Sequence, residues 1–284
     1  MLDSQRMIFN SQPVLRKGEA LYLYCFVRSA LLSSIKEAGI DSRNTLFTWS
    51  FGDIAAVLGV VSVDDFCGPP AESRMQDPSW MVPHACRHEE VIEKAMLYSP
   101  VFPARFGTLF SSVESLSQLL ARHHDTVCRF LDEVSDKQEW SVKGMFRRSL
   151  AEKSLCDTML ARQEARMALL SSGIRYLYEQ RIRRGVEKDL NTRLKDLCRT
   201  IADRLQPFAS DWCRRRIVSP AESDDGTETV FNWAFLVPRH DVESFCEGIE
   251  SINGEIAANG LSIELSGPWP PYSFCLSLGM EPGA

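Results

Sequence analysis

The stretch Val101 to Phe110, VFPARFGTLF, constrains the chain more than any other. Val101 and Phe102 read as a strand end. Pro103 has no amide hydrogen to give a neighbouring strand, so the segment must lie at a sheet edge or leave the sheet there. Gly107 supplies backbone angles that its neighbours do not tolerate. Ser111, with Glu114 three residues on, has the form of a capping box and opens an apolar-periodic run from Val113 to Leu131. The stretch therefore predicts a strand-to-helix joint. Its single charge, Arg105, is costly among apolar neighbours unless a carboxylate or several carbonyls receive its donors. It is expected either to bridge to such groups inside its own domain or to face a partner.

Upstream, residues 1–20 read as a polar, non-periodic arm. Leu21 to Val27, LYLYCFV, is apolar on both faces and predicts a central strand. A short helix is expected over Ser29 to Ala38. Strands Thr45 to Phe51 and Ile54 to Val61 follow, with Gly52-Asp53 as a hairpin turn. Residues 62–82 carry turn-forming Asp, Pro and Ser and read as a connection without regular elements. Pro83 suits the first turn of a helix running to about Tyr98. Beyond the joint, Glu139 to Phe146 reads as a further strand, with Trp140 and Val142 on one face and Glu139, Ser141 and Lys143 on the other. Strands interleaved with helices predict an α+β domain of ferredoxin-like character over residues 21–147, its helices covering one face of a sheet.

From about Ser149 to Leu205 the texture changes to helix formers. Leu190, Leu194, Leu197 and Ile201 draw one apolar stripe, and Gly173 and Gly185 predict two helices or one bent helix. The stripe suits a coiled-coil hairpin, a partner's surface, or the protein's own sheet. Strands over Trp212 to Val218 and Val230 to Val237, a helix from about Asp241 to Gly260 and a strand Leu261 to Leu265 complete a second α+β domain, residues 148–284. Gly267 to Phe274, GPWPPYSF, has three prolines in eight residues and predicts an irregular aromatic strap.

Charge is segregated. Residues 143–216 carry 18 Lys and Arg against 9 Asp and Glu, whereas residues 217–284 carry 1 against 11. A basic middle could bind nucleic acid, but neutralisation of its own acidic flanks is the simpler expectation. No apolar run approaches the roughly 20 residues needed to cross a bilayer. The first ten residues lack a basic start followed by an apolar core, and nine singly placed cysteines suit reduced thiols, so a cytoplasmic protein is expected. His84, Cys86 and His88 on one helix raise a metal-dependent enzyme as an alternative reading, without a third ligand at diagnostic spacing. His123 and His124 point in different directions. No phosphate-binding loop, dinucleotide fingerprint, nucleophile elbow or paired-cysteine motif is present, so no catalytic residue, cofactor or metal is assigned.

The order of these features resembles the gas vesicle protein F/L family. The matching residues are the LYLYCFV strand, His88 within HEEVIEKAM, and Pro103 with Arg105, Phe106, Gly107 and Thr108. Further on come Glu139 and Trp140 with Lys143, Ser172-Gly173 with Tyr176-Leu177, and Gly267, Pro268, Trp269, Pro270, Pro271 and Tyr272. The resemblance implies a ferredoxin-like N-terminal domain and an α+β C-terminal domain with long coiled-coil-like helices. It also implies a non-enzymatic assembly role at the gas vesicle, through contact with the small hydrophobic shell protein and other accessory proteins. The quoted residues are then structural or partner-binding, and no nucleic-acid or membrane partner is expected.

Overall fold

The computed structural model describes residues 14–31, 37–41, 44–217 and 226–279. It divides into two compact units, one formed by Met1–Asp136 with Pro270–Ala284 and the other by Lys137–Trp269.

In the first unit β1 (Glu19–Arg28) is the central strand. It pairs antiparallel with β3 (Ile54–Ser62) on one side, and with β4 (Val101–Pro103) and β5 (Leu109–Phe110) on the other. β2 (Phe47–Phe51) forms the far edge against β3, giving the order β2-β3-β1-β4. The Gly52-Asp53 hairpin forms as expected, with Phe51 opposite Ile54. Tyr24 is the extra residue of a bulge between Leu23 and Cys25. A bulge reverses which residues point to which face. Tyr22, Cys25 and Val27 accordingly join a core with Val91, Ile92 and Ala95 of helix α3 (Pro78–Met96), next to Phe66 of α1 (Val63–Phe66). Phe26 meets Phe102, which stacks edge-on against Phe130 of α4 (Val113–Glu133). Helices thus cover both faces of this sheet, where one was expected.

Other expectations are corrected. Residues 62–82 hold α1, α2 (Pro69–Gln76) and the start of α3. Pro78 occupies the first turn of α3 behind the Asp77 cap, and Pro83 lies inside the helix. The prolines that suggested a connection are helix starters, whose missing amide falls where no intrahelical partner exists. Glu19 and Ala20, assigned to the arm, already belong to β1. Residues 32–36 of the expected first helix lie outside the described residues, and Ser29 to Leu31 form a turn.

The second unit has a four-stranded antiparallel sheet. Its order is β7 (Asp211–Arg214), β8 (Thr227–Pro238), β6 (Lys137–Arg147), β9 (Leu261–Trp269). The strand around Glu139 to Phe146, expected to close the first domain at residue 147, is therefore an inner strand of the second sheet. The chain changes unit at Asp136–Lys137 and again at Trp269–Pro270, so the 147/148 boundary does not hold. The proline-rich segment is regular as far as Trp269, where β9 ends. The expected acidic turn falls almost wholly outside the described residues.

Two separate helices, α5 (Arg148–Met167) and α6 (Ser172–Leu205), replace the ambiguous run, and α6 continues unbroken through Gly185. Leu190 and Ile201 are buried in the core beneath Phe231, Trp233 and Phe235, with Leu194 and Leu197 against it. Phe245, Ile249, Ile252 and Ile256 of α7 (Val242–Ile256) fill the same core. The stripe covers the protein's own sheet over this length. Towards the start of α6, Ile174, Tyr176 and Leu177 are 55%, 60% and 68% exposed.

The α4 cap sits one residue later than expected. Ser112 accepts the Ser115 amide at 3.2 Å, and the Ser115 hydroxyl returns to the Ser112 backbone. Ser112→Ala should cost about 1 kcal/mol, whereas Ser111→Ala should change stability by no more than a few tenths of that; parallel chemical denaturation distinguishes them.

Candidate functional site

The segment from Pro103 to Thr108 is held from below by a chain of hydrogen bonds between buried groups. The Tyr22 hydroxyl accepts the Gly107 amide at 3.1 Å and lies 2.9 Å from His88 Nδ1. His88 Nε2 is 3.1 Å from the Ala104 carbonyl. A carbonyl only accepts, so Nε2 carries the proton and Nδ1 accepts from Tyr22. Every polar atom in this line has a partner. His88 is 2% exposed, and burial pushes its imidazole down to about 4. The same burial raises the Tyr22 phenol above its ordinary range. Aromatic rings enclose the histidine, Tyr24 stacked and Phe106 edge-on, with ring centres at 5.6 and 5.8 Å.

The loop residues divide by role. Pro103 is buried and faces Cys25. Ala104 donates its amide to the Tyr24 carbonyl at 2.8 Å. Phe106 packs into the same core. The Thr108 hydroxyl donates to the Arg105 carbonyl at 2.7 Å, and its carbonyl receives the Leu23 amide. Gly107 adopts φ +79°, and a methyl group there would meet nothing within 4 Å, so conformation alone requires glycine. Arg105 is exposed, which corrects its expected bridge to groups inside the domain. Among the described residues its guanidinium has no carboxylate partner.

Tyr272 joins this cluster. Its hydroxyl donates to Glu89 at 3.2 Å, and its phenol is raised first by burial and then by that carboxylate. Phe102, Pro103, Arg105, Thr108 and Tyr272 border a cleft of only 60 Å³. Small-molecule sites usually need about 300 Å³ or more.

The remaining signature residues belong to the second unit. Glu139 is buried at 1% exposure and pairs with Arg215, while Lys143 is exposed. Trp140 packs against the core. Gly267 comes so close to β6 that a methyl group would lie 2.9 Å from the Glu139 carbonyl, and a cis peptide joins it to Pro268. Trp269 donates its indole N–H to Ser266, whereas Pro270 and Pro271, both buried, already belong to the first unit.

The alternative metal site on α3 is not assembled. Both His88 nitrogens are used, His84 Nδ1 lies 2.7 Å from the Trp80 carbonyl while its ring stacks on Trp80 at 4.0 Å, and Cys86 is exposed. The basic middle is partly neutralised by its flanks. Arg148 pairs with Glu228, Arg204 grips Glu255 with two bonds at 2.7 and 2.9 Å, and Arg215 pairs with Glu139. Sequence reasoning missed Tyr22 and Arg215. The signal for the first was a phenol inside an otherwise apolar central strand, since a buried tyrosine hydroxyl needs a partner.

A helix-rich α+β chain with two antiparallel sheets and a polar line locked beneath an edge loop defines a non-Rossmann, two-sheet class. The model for the gas vesicle synthesis protein GvpL/GvpF family matches residues 20–276, and the chain belongs to this family. It is 29% identical over 224 residues to gas vesicle protein L of a Streptomyces species, covering 78% of this chain and 80% of that one. To gas vesicle protein F of Dolichospermum flosaquae it is 25% identical over 259 residues, covering 89% and 96%. The crystal structure of the gas vesicle protein GvpF from an Anabaena species superposes with a TM-score of 0.67 at 19% identity, covering 91% of this chain and 99% of that chain.

Two measurements test the polar line. Tyr22→Phe should cost about 1–3 kcal/mol, because it leaves the Gly107 amide and His88 Nδ1 buried without their partner; Gly107→Ala should cost about 1 kcal/mol through its backbone angle. The folded chain keeps His88 neutral down to about pH 4, whereas an unfolded histidine takes a proton near its ordinary value. Stability from this residue is therefore complete above about pH 6.5 and falls by roughly 3 kcal/mol as pH drops to about 4. Thermal denaturation across that range should slope more steeply in the wild type than in His88→Gln, and equal slopes would contradict this account.

Proposed function

We propose that this chain is a non-enzymatic assembly factor of the gas vesicle that binds the small hydrophobic shell protein and other accessory proteins in the cytoplasm. The observation that carries the reading is the set of exposed apolar side chains around the start of α6: Ile174 and Leu177, three apart on one face of the helix, with Tyr176 and the preceding Leu169 also exposed, the latter at 87%. Apolar side chains grouped on a surface favour a partner with an apolar face of its own. Arg105 adds an exposed cation on a loop whose backbone is fixed from below, suited to a partner's carboxylate. The enclosed, fully bonded His88 and the small cleft beside it support a role without catalysis.

The strand order β2-β3-β1-β4 supports reading the first unit as ferredoxin-like, modified by the helix cover on both faces. The succession of α5 and α6 supports a coiled-coil-like helical arm whose later half is seated on its own sheet. Among the described residues no helix is long and apolar enough to cross a membrane.

Co-purification of the intact chain with the shell protein tests the proposal. Wild type should retain the shell protein at physiological salt. The double variant Ile174→Glu, Leu177→Glu should lose it while keeping its melting temperature, since both side chains are already exposed; undiminished retention would move the contact elsewhere, and no retention by the wild type would overturn the reading.

A further inference from the structure

The hairpin turn between β2 and β3 comes up against α4 in the first unit, and three side chains of different chemistry converge there. Asp53 lies in the turn, and His124 and Cys128 are one helical turn apart on α4. His124 Nε2 is 2.7 Å from Asp53 Oδ1. Cys128 Sγ is 3.6 and 3.5 Å from the two Asp53 oxygens and 3.7 Å from His124 Nε2. We propose that Asp53, His124 and Cys128 form a binding site for a borderline divalent metal ion, with Zn²⁺ as the best match.

The distances carry the argument. A tetrahedral zinc with sulfur at about 2.3 Å and nitrogen or oxygen at about 2.0–2.1 Å sets its ligand atoms about 3.3–3.6 Å apart. The sulfur-to-oxygen and sulfur-to-nitrogen separations are already close to that. The nitrogen-to-oxygen edge has to open by about 0.6 Å, and the imidazole, whose Nε2 and Nδ1 stand 3.7 and 3.9 Å from the sulfur, has to turn its Nε2 lone pair towards the ion. A thiolate, an imidazole and one carboxylate oxygen form a donor set for zinc rather than for magnesium or calcium, which take oxygen ligands.

The neighbours orient these groups as a metal site requires. Asp125 lies 3.2 Å from His124 Nδ1 and can take that nitrogen's proton-bearing side, leaving Nε2 for the ion. A carboxylate behind a ligating histidine is the usual outer support of such sites. Arg28 holds Asp53 through Oδ2 at 2.8 Å, which leaves Oδ1 free to ligate. The same guanidinium also holds the Cys128 carbonyl at 2.9 Å and pairs with Asp132, fixing α4 against the turn. Asp53 and His124 side chains are 58% and 33% exposed, so an ion has an entry path and a fourth position is left for water. The neutral imidazole, its one proton on Nδ1 toward Asp125, presents the Nε2 lone pair, so binding replaces only the thiol proton of Cys128, which passes to solvent.

Metal titration of the full-length, chelator-stripped protein tests this, with Zn²⁺ competed against a chromophoric chelator and Co²⁺ as the spectroscopic probe. The wild type should bind one equivalent that Mg²⁺ does not displace, and its Co²⁺ form should show a thiolate-to-metal charge-transfer band. Cys128→Ser and Asp53→Asn, both checked by melting temperature, should each weaken binding about tenfold or more, and Cys128→Ser should abolish the band. If the wild type gives no charge-transfer band, the proposal fails. It fails equally if folded Cys128→Ser binds zinc as tightly as the wild type, because the ion then sits on other cysteines.

Discussion

The Tyr22 hydroxyl is the point on which the first unit depends. It sits in the middle strand of a sheet whose faces are both covered, far from water, so its donor and acceptor must be met by protein. It accepts from the Gly107 amide and donates its own hydrogen bond to His88 Nδ1. Three elements distant in sequence are thereby set in register: β1, the edge loop after β4, and α3. An apolar core of similar size would bring the same elements together, but with less positional definition. Hydrogen bonds in a low-dielectric interior act over short distances and with fixed angles, which makes this line directional as well as cohesive.

That arrangement explains why the edge loop could be read as a joint but not fully placed. Pro103, Gly107 and the helix after them are local signals, and each is where it was expected. The partner of Arg105 was inferred from the cost of burying a guanidinium, and the inference fails because the residue is exposed. Loop height is set by Tyr22 and His88, which lie 85 and 19 residues from Gly107 in sequence. The strand at Glu139 to Phe146 was recognised by alternation, but alternation says nothing of which sheet a strand joins. The helices over residues 63–83 were obscured because proline marks a helix start and a loop alike until the residues after it are seen to turn. Asp53, His124 and Cys128 show the same limit, since His124 and Cys128 have helical spacing while Asp53 is brought in by tertiary packing alone.

The second unit meets its buried charge in a different way. Glu139 is enclosed on an inner strand, and a carboxylate there would be strongly unfavourable without Arg215. Arg215 comes from the basic middle of the chain, as do Arg148 and Arg204, which pair with carboxylates of the acidic end. The charge segregation along the sequence is thus partly an expression of contacts within this unit. Arg204 and Glu255 are both at the surface, where such pairs add little stability; Arg215 matters more because its carboxylate cannot reach water.

The long helix α6 draws these threads to a functional point. Its later half is amphipathic because it has a sheet to cover, and its apolar residues disappear into that core. Its earlier half retains apolar side chains with no such cover among the described residues. Covering its own sheet accounts for Leu190 and Ile201 but not for Ile174 and Leu177, whose exposure costs solubility and contributes nothing to the core. The same contrast holds in the first unit, where every polar atom beneath the loop is bonded and Arg105 alone projects from it. In both units the residues that packing does not require are the exposed ones, and the proposed partner contact would draw on these side chains.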